Sequence, residues 1–184
     1  GTGLSLSADG SIVAIGSLRH SGERGNVRVY QNDGSDNWVQ LGSDLDGINT
    51  FDYFGGYENV DLSDDGTILA VGAMAADPSG IAGAGEVRVF QYSGGSWGQL
   101  GSNINGTSPT GHFGQLSISA DGTILAIGAF NGDNASDVDT GYVQVYQYSG
   151  GSWSQIGSDI YGEDEDERFG GSISLSDDGT RLLV

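Results

Sequence analysis

The sequence predicts an all-β fold assembled from four-stranded units of about 56 residues, and three observations carry that expectation. A stretch of about twenty residues recurs at 25–45, 85–104 and 141–160, each copy reading as a strand, a glycine-rich reversal and a return strand opened by Trp38, Trp97 or Trp153. An Asp-Gly pair also recurs, with Gly10, Gly66, Gly122 and Gly179 spaced 56, 56 and 57 residues apart, a period that suits propeller blades or a β array. After each of the first three pairs comes a run that is apolar on both faces: Ile12-Val13-Ala14-Ile15, Ile68-Leu69-Ala70-Val71 and Ile124-Leu125-Ala126-Ile127. One four-stranded sheet cannot cover two apolar faces, so units must stack face to face, and radial stacking makes a β-propeller.

Each unit opens with an alternating strand, Leu4-Ser5-Leu6, Val60-Asp61-Leu62, Leu116-Ser117-Ile118 or Ile173-Ser174-Leu175. The Asp-Gly reversal follows, then the doubly apolar run, which belongs in the middle of a sheet. That run ends at Gly16, Gly72 or Gly128, and loops of differing length follow at 17–24, 73–84 and 129–140. In the third strand Val27 and Val29, Val87 and Val89, or Val143 and Val145 share a face. The Trp of the return strand is expected between neighbouring units, where its burial is worth about 4 to 6 kcal/mol as an upper bound. A second variable loop leads to Phe54-Gly55, Phe113-Gly114 or Phe169-Gly170. The chain thus reads as one repeat segment with units at about 1–53, 54–112 and 113–168 and an incomplete one at 169–184. Because the register enters and leaves inside units, the expectation is an arc of blades completed by further chain or by a second copy.

Composition narrows the function. Six basic against twenty-five acidic residues give a formal charge of −19, which opposes nucleic acid and anionic membranes by repulsion. Without cysteine there are no disulfides, no thiol catalysis and no cysteine-held zinc. No apolar run approaches the roughly 20 residues that span a bilayer as a helix, so membrane insertion is not expected. Thirty-four glycines against two prolines point to turns, since aromatic and β-branched residues lie regularly between them.

Phe113-Gly114 with Leu116-Ser117-Ile118, then Ile127-Gly128-Ala129 and Gly141-Tyr142-Val143-Gln144-Val145-Tyr146, resembles the FG-GAP repeat of integrin-α-type β-propellers and their bacterial and algal relatives. Phe169-Gly170 and Val71-Gly72-Ala73 match as well, and the resemblance covers nearly the whole chain. It departs where the family has a proline after Gly-Ala: Met74 and Phe130 stand there, and Ser17-Leu18 replaces Ala-Pro. The family's calcium loop is also cut short, so Asp9, Asp65, Asp121 and Asp178 read as turn formers and its calcium residues are not carried over.

The candidate metal ligands are Asp133, Asp137 and Asp139 in one loop of the third unit, with Asn131 and Asn134 as neutral donors; a hard cation, calcium, is what they would suit. No cofactor is otherwise implied, and the acidic run 163–167 reads as a solvated loop. Gly94-Gly95-Ser96-Trp97-Gly98 matches a nucleophile elbow only formally, because it falls in a hairpin and not between strand and helix. His20 and His112 sit in separate loops, so no catalytic residues are expected. Sequons at Asn105 and Asn134, together with the resemblance, point to an extracellular or cell-surface glycoprotein. The expected function is an extracellular structural or adhesive protein-interaction module that uses its blade loops and catalyses nothing. Its partners would be other proteins, further copies or blades of the same assembly, and glycans. The alternatives are a calcium- or carbohydrate-dependent binding module, or the partial propeller of a secreted hydrolase or lyase.

Overall fold

The computed structural model describes residues 2–35, 37–134 and 138–184 of the protein. The first sheet contains β1 (Gly3–Leu6), β2 (Ile12–Ser17), β3 (Asn26–Asn32), β4 (Trp38–Gln40) and β5 (Leu45–Asp46). The second contains β6 (Val60–Leu62), β7 (Ile68–Ala73), β8 (Glu86–Ser93), β9 (Ser96–Gln99) and β10 (Ile104–Asn105). The third contains β11 (Phe113–Ile118), β12 (Ile124–Ala129), β13 (Tyr142–Ser149), β14 (Ser152–Gln155) and β15 (Ile160–Tyr161). A short pair, β16 (Ser174–Leu175) and β17 (Leu182–Leu183), follows.

Among the described residues the strands pair antiparallel, with isolated parallel bridges only at Gly25–Phe54 and Gly141–Phe169, and each full blade is four-stranded with its last strand in two pieces: β4 and β5 both pair with β3, as β9 and β10 do with β8 and β14 and β15 with β13. The break has a physical use. Leu41 N–H still donates to the Val29 carbonyl, but the chain leaves the ladder after it, and the Leu41 carbonyl turns to accept the Trp97 indole N–H of the next blade at 2.8 Å. Leu100 and Trp153 repeat the bond at 2.9 Å. Gly42 and Gly101 adopt φ of +78° and +79°, and a Cβ on either would stand 2.7 or 2.9 Å from the indole Cδ1. Only glycine allows the ring to seat there.

The core is divided into two layers between blades. One holds Ile12, Ala14, Val27, Val29, Leu69, Val71 and Phe90, with Trp97 against its edge; the other holds Ile68, Ala70, Val87, Val89, Leu125 and Ile127, with Trp153. Leu69 and Val71 face one layer while Ile68 and Ala70 face the other, which is why β7 is apolar on both sides. The first strands β1, β6, β11 and β16 contact one another in turn and form the axial side of the stack.

The same position of each first strand carries a stitch to the next blade. Ser5 Oγ accepts Leu62 N–H at 3.0 Å, Asp61 Oδ2 accepts Ile118 N–H at 2.9 Å, and Ser117 Oγ accepts Leu175 N–H at 3.1 Å. The Asp-Gly turns add backbone bonds between Ala8 and Asp64, Asp64 and Ala120, and Ala120 and Asp177. This is a β-propeller built from four-stranded blades.

Candidate functional site at the variable-loop end

The two ends of the stack differ. At one end the Asp-Gly turns are short and self-satisfied: Asp9 Oδ1 accepts Ser11 N–H and the Ser7 hydroxyl, and Asp65, Asp121 and Asp178 repeat the arrangement. The backbone bond from Ser11 holds the Asp9 carboxyl below its ordinary range, as the bond from Thr123 does for Asp121. Those groups shape turns. The Gly94-Gly95-Ser96 segment also lies at a hairpin turn, with Ser96 Oγ donating to the Ser93 carbonyl.

The other end carries both variable loops of every blade, held by one repeated frame. The loop entering each blade starts at Gly47, Gly106 or Gly162, whose N–H donates to the carbonyl of Gly25, Gly85 or Gly141. It ends at Phe54, Phe113 or Phe169, whose N–H donates to Arg24, Ala84 or Thr140. Just before that Phe, the N–H of Tyr53, His112 or Arg168 donates to the carbonyl of Glu23, Gly83 or Asp139. A Cβ on Gly25, Gly85 or Gly141 would stand 2.1 to 2.2 Å from the Phe carbonyl oxygen, so glycine is required for this crossing.

Between these fixed points lie six residues that differ in every blade: 48–53 is Ile-Asn-Thr-Phe-Asp-Tyr, 107–112 is Thr-Ser-Pro-Thr-Gly-His and 163–168 is Glu-Asp-Glu-Asp-Glu-Arg. The fourth and sixth positions are left-handed in all three, with φ of +71° and +56° at Phe51 and Tyr53, +54° and +52° at Thr110 and His112, and +62° and +57° at Asp166 and Arg168. Each non-glycine there costs on the order of 1–2 kcal/mol. Neither of these left-handed positions is a glycine in any of the three loops, so the frame presents side chains where a bare backbone would be easier. Sequence reading missed this frame, although the constant spacing from Gly47, Gly106 and Gly162 to the next Phe carried the signal.

Three distinct environments result. In the first, Phe51, Tyr53 and Tyr57 form a chain of edge-on rings with centroids 6.4 and 5.9 Å apart, and the Tyr53 hydroxyl donates to Glu23 Oε2 at 3.4 Å. In the second, His112 stacks on Phe130 at 5.3 Å, and the Asn131 amide nitrogen lies 3.1 Å from His112 Nδ1. Desolvation pushes the His112 pKa below its ordinary value, against a smaller opposing pull from Asp139, so the ring is neutral at pH 7. Among the described residues Asn131 Oδ1 is buried and meets no hydrogen-bond partner.

The third contains the predicted metal ligands. Asp133 Oδ1 accepts Asp139 N–H at 2.9 Å and so closes its own loop; Asp137 lies outside the described residues, as do Ala135 and Ser136 of the second sequon. Among the described residues no group of three His, Cys, Asp or Glu side chains is placed to hold a metal. His20 lies in another loop of the same end, so the two histidines are not brought together.

No family model matches the chain, and no curated protein matches it. Among solved structures it is similar to a candidate 6-phosphogluconolactonase of Bacteroides fragilis, with 16% identity and a TM-score of 0.57 over 89% of this chain and 39% of that one. A hydrazine synthase of Kuenenia stuttgartiensis matches with 13% identity and a TM-score of 0.54, over 97% and 53%. A candidate TolB protein of Agrobacterium tumefaciens matches with 16% identity and a TM-score of 0.52, over 98% and 57%. The chain thus spans between two fifths and three fifths of the length of these structures, and the likeness establishes the propeller fold.

The comparisons correct one expectation. The expectation of a structural or adhesive module that catalyses nothing is overturned to this extent: a solved structure sharing the fold is named a candidate 6-phosphogluconolactonase, an enzyme. His20 and His112 lie in separate loops, and only folding half-buries His112 beside the Asn131 amide and within reach of the Asp139 carboxylate.

Proposed function

We propose that these blades belong to a propeller hydrolase acting on sugar lactones or related cyclic esters, with the variable-loop end as its working face. The observation that carries this reading is the backbone match to a candidate 6-phosphogluconolactonase over 89% of the chain. His112 is the residue suited to the chemistry. With the Asn131 amide oxygen turned to accept Nδ1–H, its bare Nε2 takes a proton from water as that water adds to the lactone carbonyl; the ring ester C–O bond then opens to a carboxylic acid and an alcohol. A charge of −19 repels a phosphorylated substrate, so the unphosphorylated lactone is the better one.

Proton release from glucono-δ-lactone by the protein that contains these blades tests the reading. The expected result is hydrolysis well above the buffer rate, reduced roughly 10²-fold or more in kcat by His112→Gln. The acid limb of kcat/KM should fall below the ordinary histidine value, because burial favours the neutral ring. Turnover no faster than buffer would remove the proposal.

We also assign the blades to the FG-GAP type within the propeller class. Support comes from the packing of the motif, in which Gly16, Gly72 and Gly128 meet the Gly55, Gly114 and Gly170 carbonyls of the following Phe-Gly so closely that a Cβ would stand 1.8 to 2.4 Å from the oxygen. An extracellular or cell-surface location fits that type. Asn105 is exposed at the end of β10, and a mobility shift on glycosidase treatment after expression through a secretory route would support the location; an unmodified Asn105 would count against it.

A further inference from the structure

We propose a saccharide-binding platform on the first blade, formed by Phe51, Tyr53 and Tyr57 and separate from His112. The rings of Phe51 and Tyr57 are 57% and 50% exposed, yet they are ordered edge to face with Tyr53 between them. Aromatic rings are not what the frame needs, because Thr110 and Asp166 occupy the position of Phe51 in the next two blades with the same left-handed backbone. Phe51 therefore holds a largely exposed ring on a strained backbone, an arrangement that costs stability and returns little buried surface beyond its edge contact with Tyr53.

Size and chemistry select the occupant. With about 150–250 Å² per aromatic side chain, the exposed parts of Phe51, Tyr53 and Tyr57 offer on the order of 200–300 Å². A stable protein partner needs about 800 Å² on each side, so the patch is too small for one and suits two or three sugar rings. A sugar has C–H faces that stack on aromatic rings and a rim of hydroxyls that needs polar partners. The platform supplies both kinds of surface: Glu23 accepts from the Tyr53 hydroxyl, Asn49 and Thr50 are exposed beside Phe51, and the Arg19 guanidinium lies within electrostatic reach of the Tyr53 phenol. The charge of −19 favours a neutral saccharide over an acidic one. The site is fixed close to the propeller axis, since Glu58 N–H donates to the Thr2 carbonyl and Gln115 Nε2 to the Tyr57 carbonyl.

Saturation-transfer NMR with maltohexaose and cellohexaose tests the proposal without reference to lactone turnover. The expected result is transfer to sugar ring C–H protons from at least one probe, with affinity reduced tenfold or more by Phe51→Ala and by Tyr57→Ala and unchanged by Thr110→Ala. Phe51→Gly separates binding from folding: it should abolish transfer while the melting temperature stays level or rises, because glycine relieves the left-handed strain. No transfer with either probe would overturn the platform. So would binding that survives Phe51→Ala and Tyr57→Ala, a clear loss of melting temperature in Phe51→Gly, or self-association that disappears with the rings.

Discussion

Asp61 is the residue whose environment is least like its counterparts. Ser5, Ser117 and Ser174 hold the same place in the other first strands, and there a hydroxyl is enough to reach the next blade's N–H where that contact forms. Burial raises the Asp61 pKa, and the N–H groups of Ile118 and Leu62 and the Ser5 hydroxyl offset this only in part. A carboxyl whose folded pKa lies above its unfolded value contributes stability that is full below the unfolded pKa and is lost as pH rises through the folded one. Relative to Asp61→Ser, the wild type should therefore lose stability as pH rises above the ordinary carboxylate value of about 4, as denaturant melts at several pH values would show. Asp61→Ala should cost about 1–3 kcal/mol, because Ile118 N–H is left buried and unpaired. Asp61→Ser should retain most of that bond. At the opposite end Asp133 closes a surface connection by accepting Asp139 N–H, and the joint replacement of Asp133 and Asp139 by Ala should cost about 1 kcal/mol in calcium-free buffer. Melting with calcium and with chelator measures that placement, with no shift expected between the two.

At the scale of elements, the interrupted outer strand decides how blades join. Trp97 and Trp153 each cross into the previous blade, where the carbonyl of Leu41 or Leu100 and a left-handed glycine receive the indole. Trp38 has no blade before it among these residues and is 45% exposed. Trp97→Ala should thus cost about 3–5 kcal/mol, while Trp38→Ala, which removes little buried surface, should cost about 1 kcal/mol or less by the same urea titration. Equal losses would contradict the seating. Alternation and turn residues predicted the hairpin containing each Trp, and those bounds were legible. The gap between β4 and β5, and its copies, was not, because Leu-Gly-Ser looks like any turn until a ring from 56 residues away is seen resting on it.

For the whole molecule, the decisive fact is that apolar faces are buried only between blades. The outer face of blade 1 leaves Leu4, Leu6 and Trp38 exposed, beside a shallow groove lined by Val13, Ile15, Tyr30 and Trp38. As 184 residues alone, the protein should bind a hydrophobic dye while fully folded, and Leu4→Ser with Leu6→Ser should reduce that signal without lowering the melting temperature. Unchanged dye binding would place the apolar surface elsewhere.

The sequence by itself determined the repeat period, the four-strand unit, the doubly apolar second strand, the Asp-Gly turns and the role of Trp between units. All of these follow from local periodicity and from residues with strong backbone preferences. Tertiary structure decided what those preferences do not encode. It brought Ser5, Asp61 and Ser117 against the N–H groups of the next blade, and it half-buried His112 beside Asn131. Left-handed geometry was likewise imposed on Phe51, Tyr53 and their equivalents. A Phe or Tyr does not favour a left-handed backbone; the hydrogen bonds from a crossing loop hold it there, and that loop comes from elsewhere in the chain. The blades could be read from the order of residues, whereas the working face exists only once the loops of neighbouring strands meet.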